Sequence, residues 1–370
     1  MFARPQRSFQ YCGVAGLLLG GPLALWLALE RGLSLRVETT LIVVAVGMLL
    51  AVPLVVKVFT GIDGFVFYRD VICIFAAVAL TLRGLHQPLL PYLDVTIAGA
   101  GLFHAWGRIG CLLSGCCYGR PSLLGIRYTH AHAEMGFPTQ LTGVHLFPIQ
   151  AVESAWIFCL ASGAAWMVLR NSRPGFVFAV YVAGYALGRF FFEFARGDSD
   201  RPYLVGFSQA QWVSLLLTLG VSLLGLAWFP RHGSWLSAPL IVLAVSMAFV
   251  AVARKLEATP RFELLHPMHT EEIAELVRRP SSPPSASGPL RPSRPQRAVE
   301  VKRTSLGVRI SVGEVPCDDV NLSHYCVSKD GEPLSPKAAH LLARQISLMR
   351  HDGAPFRIVH GQSGVIHLLF

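Results

Sequence analysis

Eight stretches of this chain each run to roughly twenty residues with few charges, the length an α-helix needs to cross the hydrocarbon of a bilayer. They fall at about 12–29, 39–59, 69–86, 93–113, 147–169, 175–192, 210–229 and 235–253. In lipid every backbone polar group must pair within its own segment, so these stretches can only be helices. Composition agrees. Residues 1–253 hold 16 Lys+Arg and 10 Asp+Glu, too few to clothe a water-facing surface, where about a quarter of residues are charged. The expected fold is an all-α polytopic membrane protein with seven to eight transmembrane helices, followed by a small α+β C-terminal module after a disordered linker.

The expected domains are 1–253 in the membrane, a basic Pro/Ser-rich linker at 254–300, and a small α+β domain at 301–370. Residues 280–297 (PSSPPSASGPLRPSRPQR) cannot bury a core. Beyond them Leu306–Val315 alternates as a strand does, Pro336–Arg350 is helical after a Ser335 cap, and Phe356–Phe370 reads as two strands around Gly361–Gly364. The first apolar run has no small-residue cleavage site and is read as a retained span. Arg31, Arg36, Arg83, Arg170, Arg173, Arg231 and His232 follow alternate spans and mark a cytoplasmic side. Arg254 and Lys255 then suggest a cytoplasmic tail, with the eighth segment only dipping into the bilayer. The net charge of +10 is spread along the chain, which implies anionic lipid rather than nucleic acid.

Ionisable residues inside apolar spans are costly, and their default reading is functional. One cluster is Asp94…His104-Ala-Trp-Gly-Arg108-Ile-Gly-Cys111-Leu-Leu-Ser114-Gly115-Cys116-Cys117-Tyr-Gly119-Arg120-Pro121, in which His104, Arg108, Cys111 and Gly115 share a helical face. The other is Tyr185…Arg189…Glu193…Arg196, a polar stripe at helical spacing on an aromatic helix, where Glu193 can pair with Arg189 or Arg196. A guanidinium is a planar, permanently charged fork suited to phosphate, so Arg108 and Arg189 together fit one anionic phospholipid head. Competing readings are a structural Arg189–Glu193 ion pair and a core histidine at His104. A metal set at Cys111, Cys116, Cys117 and His104 is disfavoured, because adjacent cysteines on a helix point apart and the spacing matches no common zinc pattern. The eight cysteines spell no disulfide framework, and the histidines at 130, 132 and 145 lie in a polar stretch, 120–146, read as solvated.

These residues resemble the bacterial prolipoprotein diacylglyceryl transferases. Gly107-Arg108-Ile109-Gly110, Ser114-Gly115 and Tyr118-Gly119-Arg120-Pro121 are similar to that family's signature. Phe147-Pro-Ile-Gln150-Ala-Val-Glu153, the Tyr185…Arg189…Glu193-Phe194…Arg196 run and Ser208-Gln-Ala-Gln211…Ser214 resemble three later segments in the same order. The resemblance implies an enzyme of the bacterial plasma (inner) membrane that moves the diacylglyceryl group of phosphatidylglycerol to the lipobox cysteine of a prolipoprotein signal peptide. It implies no metal or organic cofactor. It also implies that Arg108 and Arg189 hold the phosphate, that Glu193 and Tyr185 orient them, and that Gly119 shapes the headgroup pocket. Tyr11, Cys111, Ser114 and Gly115 would contact substrate.

The family's His-Gly-Gly falls on Tyr68-Arg69-Asp70, its two asparagines on Cys111 and Ser114, and a glutamate on Cys116. His104 is the candidate replacement base. Alternative readings are a noncatalytic lipid-binding or regulatory paralogue that keeps the pocket, a thiol-redox protein built on Cys111, Cys116 and Cys117, and an anion transporter, against which the lack of repeated halves speaks.

Overall fold

The computed structural model describes residues 5–61, 67–228, 233–256, 261–277, 301–317, 320–331, 333–361 and 364–370. All eight apolar stretches lie on long helices: α1 (Pro5–Glu30), α2 (Leu35–Thr60), α3 (Phe67–Gly84), α4 (Leu89–Ser114), α6 (Ile149–Leu169), α7 (Phe176–Phe192), α8 (Gln209–Trp228) and α9 (Ala238–Leu256). The short α5 is His130–Ala133. Among the described residues, six helical segments, on α1, α2 and α6 to α9, are long and apolar enough to cross a membrane. Leu18, Leu50, Val58, Leu216 and Phe249 are exposed on them, an apolar surface that a bilayer would cover.

Packing inside the bundle rests on small residues. Gly20 of α1 and Gly99 of α4 face each other so closely that a Cβ on either would strike the other's carbonyl, the close approach that replaces hydrophobic driving force between helices in lipid. α7 starts at a carboxylate lent by α4: Asp94 accepts from the backbone N–H groups of Gly175 and Phe178 at 2.7 and 2.8 Å. An acid at a helix N-terminus satisfies donors that have no intrahelical partner.

The same contacts sort the connectors into two ends. Arg31, after α1, donates to the carbonyls of Val168 and Ser172 and to Asn171 Oδ1, each at 3.1 Å, and the Phe176 ring meets Trp235 before α9. The connectors after α1, α6 and α8 therefore share one end, as the charge pattern suggests. The tail leaves from the other. Arg254, near the end of α9, donates to Gly206 O at 2.5 Å and stacks on Phe262 and Phe207. Ser234–Leu256 is also long and apolar enough to span the bilayer, and its terminal cation Arg254 is held by that local contact.

The end that carries the tail is folded. Within 120–146 lie β1 (Pro121–Arg127), α5 and β2 (His145–Leu146), with β1 and β2 antiparallel. Tyr128, Phe137, Leu141 and Leu146 are buried there, while His130 is exposed and His132 and His145 are half-buried. β3 (Tyr203–Leu204) and β4 (Phe207–Ser208) form a hairpin nearby.

Residues 254–277, placed above in the linker, carry the end of α9 and the helices α10 (Arg261–Leu264) and α11 (Pro267–Val277). The Pro/Ser-rich stretch 278–300 lies outside the described residues. The C-terminal module is an antiparallel sheet in the order β5 (Val301–Arg303), β6 (Val308–Cys317), β7 (Val320–Lys329), β9 (Ile366–Leu369), β8 (Arg357–His360). Its helix α12 (Pro336–Arg350) begins where Ser335 Oγ accepts from Ala338 N at 3.2 Å. Ile310, Tyr325, Val327, Ile366 and Leu368 pack with Leu342 and Ile346 of α12. The same core continues through Ile273 and Val277 of α11 to Tyr118 and Tyr128.

Candidate functional site

Two arginines on separate helices meet on one carboxylate. Arg108 of α4 reaches Glu153 of α6 through Nε to Oε2 at 3.0 Å, and Arg189 of α7 reaches the same group through Nη1 to Oε1 at 3.2 Å. Arg189 Nη2 also meets Glu193 Oε1 at 2.5 Å, while the second oxygen of Glu193 takes Arg201. Arg196 pairs with Asp198 through two bonds, Nε to Oδ1 at 2.9 Å and Nη2 to Oδ2 at 2.6 Å. All three acids and all four arginines are buried or half-buried. An ionised group away from water must be paired to be tolerated. Four guanidinium groups against three carboxylates leave one positive charge in the network.

The pocket beside these pairs is lined by Arg108, Glu153, Trp156, Ile157, Tyr185, Arg189 and Phe192. Tyr185 brings its ring to 5.5 Å from that of His104, one turn before Arg108. Five sequence candidates, His104, Arg108, Tyr185, Arg189 and Glu193, thus gather where α4 and α7 approach α6. Trp156 holds α6 to α7 by donating to Gly184 O at 3.1 Å.

The remaining candidates form the rim or lie apart. Gly115 closes α4 in the left-handed region (φ 85°), donating to Cys111 O at 3.0 Å, a conformation that costs glycine least. Cys116 and Cys117 therefore lie past the helix, and the thiols of Cys111, Cys116 and Cys117 come within 4.8 Å of one another. This corrects the expectation that they point apart, which assumed an unbroken helix. Ser114 Oγ bonds Cys111 O at 3.3 Å and approaches Cys116 Sγ at 3.4 Å.

Gly119 bridges to Arg196, and a Cβ there would fall on the Phe147 carbonyl. Its space is taken by backbone that joins residues 118–120, 147 and 195–197. Tyr11 is 58% exposed on α1 and is not among the residues lining the arginine pocket.

Two details differ from the spacing argument. α7 ends at Phe192 and a 3-10 turn follows over Glu193–Ala195, so Arg196 leaves the stripe and takes Asp198, and Glu193 takes Arg201 in its place. Glu153, which ties the two arginines together, was quoted above only as the end of a segment. Its signal is its charge: it is the one acid in Ile149–Leu169. Gln150, one turn earlier, donates to Cys116 O at 2.8 Å and to Tyr128 Oη at 3.2 Å, fixing the rim.

Fold and site together define a helical membrane protein with a buried arginine–carboxylate network beside an apolar-flanked pocket. The sequence profile of the prolipoprotein diacylglyceryl transferase family matches residues 14–228, and the chain belongs to that family. It is 32% identical over 173 residues to the phosphatidylglycerol–prolipoprotein diacylglyceryl transferase of Clostridium tetani, covering 46% of this chain and 67% of that protein. Over 164 residues it is 34% identical to the second such transferase of Clostridium perfringens, covering 44% and 61%. The corresponding protein of Dehalococcoides mccartyi strain CBDB1 is 32% identical over 161 residues, covering 42% and 60%. These matches span between three fifths and two thirds of the length of the relatives, and the family match, 14–228, leaves the C-terminal module outside it.

Proposed function

We propose that this chain transfers the diacylglyceryl group of phosphatidylglycerol to the cysteine thiol of a prolipoprotein signal peptide. The observation that carries this reading is the meeting of Arg108 and Arg189 on Glu153 inside a pocket flanked by Trp156, Ile157 and Phe192. The single surplus positive charge of the network suits a phosphodiester, which carries one negative charge. In the reaction the acceptor sulfur forms a bond to the glyceryl carbon, the carbon–oxygen bond to phosphate breaks, and its electron pair leaves with glycerol phosphate. Arg108 and Arg189 stabilise that developing charge, Glu153 and Glu193 hold them in place, and Tyr185 orients the head. His104 takes the thiol proton as general base. Cys111, Ser114 and Gly115 border the acceptor, Gly119 fixes the loop that carries Arg196, and Tyr11 meets lipid from α1.

The same reading places residues 1–253 as a membrane domain of eight spans in the bacterial plasma membrane, with 301–370 as a module outside the bilayer. Arg31, Arg83 and Arg170 mark the cytoplasmic end, so the arginine network and the module lie towards the outer face. Support comes from the shared end of the α1 and α6 connectors and from the exit of α9 beside Gly206.

The test is transfer from phosphatidylglycerol vesicles to a synthetic lipobox peptide by purified protein. His104→Ala is expected to abolish transfer without altering membrane insertion. Retention of the normal rate would remove His104 as the base. Failure of the intact, inserted protein to transfer at all, while still binding the lipid, would favour the noncatalytic reading.

A further inference from the structure

Among the described residues, two groups of three or more metal-ligating side chains converge. One is the thiol trio beside the arginine site. The other lies in the C-terminal sheet, and nothing in the transfer reaction uses it.

His324 and Cys326 sit two residues apart on β7, and Cys326 stands directly opposite His367 of the neighbouring strand β9. Alternation sends Tyr325, Val327, Ile366 and Leu368 into the core under α12, so His324, Cys326 and His367 share the opposite, half-buried face. Their donor atoms converge. His324 Nε2 lies 2.9 Å from His367 Nδ1, and Cys326 Sγ lies 3.5 Å from the first and 3.4 Å from the second.

Bond lengths of about 2.0–2.1 Å to nitrogen and 2.3 Å to sulfur, at tetrahedral angles, place ligand atoms about 3.3 Å (N to N) and about 3.6 Å (N to S) apart. The triangle in the sheet is within a few tenths of an ångström of one face of that tetrahedron. The His367 ring is also held from behind: a Cβ on Gly361 would lie 2.6 Å from its Nε2, so the turn after β8 can approach only as glycine.

We propose that His324 Nε2, Cys326 Sγ and His367 Nδ1 bind one divalent transition-metal ion, with zinc as the occupant the donor set selects. A thiolate with two imidazoles and no carboxylate excludes magnesium and calcium, which require oxygen ligands. Binding forms one metal–sulfur and two metal–nitrogen bonds, the thiol proton passes to solvent, and both imidazoles bind neutral. Three protein ligands leave the fourth position to water or to a donor from outside the chain, an open arrangement unlike the four protein ligands of a closed structural zinc site. The ion would pin β7 to β9.

The test uses the full chain in detergent, stripped with chelator and titrated with Co2+, then Zn2+. One equivalent of Co2+ per chain is expected, with thiolate-to-cobalt absorption and the visible bands of a four-coordinate ion, all displaced by Zn2+. Cys326→Ser should remove the thiolate band and weaken binding by about 100-fold or more, beyond the 10–100-fold typical of a residue that only supports a ligand. The combined Cys111→Ala, Cys116→Ala, Cys117→Ala variant should keep both. In the unaltered protein, Zn2+ should protect His324 and His367 from carbethoxylation and Cys326 from alkylation, mapped by mass spectrometry; this readout needs no variant to fold. Absence of saturable 1:1 binding, lack of protection at these three residues, or loss of the signal in the triple variant alone would overturn the assignment.

Discussion

Glu153 is the residue on which the site turns. It is 2% exposed and holds one guanidinium on each oxygen. Removing one partner of a buried ion pair leaves an uncompensated charge and costs about 3–5 kcal/mol. Glu153→Leu is therefore expected to destabilise the protein by about that amount in a detergent thermal-unfolding series. Glu153→Asp should retain more stability than the leucine variant, since it keeps the charge. Equal stability of the leucine variant and the parent would show that the arginines find other partners. The sequence exposes Glu153 as an acid in an apolar helix, but no spacing rule connects it to Arg108 or Arg189, which lie 45 and 36 residues away along the chain. Arg108, Arg189 and Glu193 were legible because charge within a span is expensive, and Tyr185 because it falls on the same helical stripe. Arg201 was not, because it belongs to a polar connector and reaches Glu193 only through the turn that follows α7.

Helix contacts carry the next level. Asp94 caps α7 from α4 through two backbone donors. Loss of such a cap costs about 0.5–2 kcal/mol, so Asp94→Ala should destabilise by that much and raise hydrogen exchange at Gly175 and Phe178. Unchanged exchange there would contradict the cap. Gly99→Leu forces a side chain onto the Gly20 carbonyl, and overpacking of this kind costs about 1–3 kcal/mol. A disulfide trap between α1 and α4 should form more slowly in that variant, and an unchanged rate would mean that the helices do not pack there. All eight apolar stretches and α12 with its Ser335 cap were legible from periodicity and length. The end of α7 was not: a run of Phe-Phe-Phe-Glu-Phe carries no helix-stop residue, yet a 3-10 turn replaces the helix from Glu193. The folding of 120–146 was hidden as well, since Tyr128, Phe137 and Leu141 are buried by α11 and α12 from far along the chain.

At the scale of the whole molecule, the C-terminal module rests on the connectors that frame the arginine site. Glu271 of α11 accepts from Tyr118 Oη at 2.5 Å and from Ser199 Oγ at 2.9 Å, linking α11, which packs in the module's core, to the connector segments on either side of the Gly119–Arg196 bridge. His269, on the same helix, is 2% exposed between Leu264 O and Thr304 Oγ1. Burial lowers its pKa from the ordinary value. The unfolded chain then binds more protons than the folded one, so this contribution is complete above about pH 6.5 and is lost as pH falls below it. Protease resistance of residues 261–277 should decline between pH 7 and pH 5, and His269→Gln should flatten that decline. An identical pH dependence in the variant would assign it elsewhere. Nothing in the sequence reports this docking, because the residues that make it are divided between the membrane domain, α11 and the sheet.

The most direct measurement is single-turnover transfer from phosphatidylglycerol to a lipobox peptide by the purified full chain and its Arg189→Ala variant, with lipid binding measured alongside. Two guanidinium groups sharing one lipid phosphate predict a loss of about 100–1,000-fold in the transfer rate, with the helical content of the variant intact. Transfer at the parental rate in a correctly inserted Arg189→Ala protein would contradict the account.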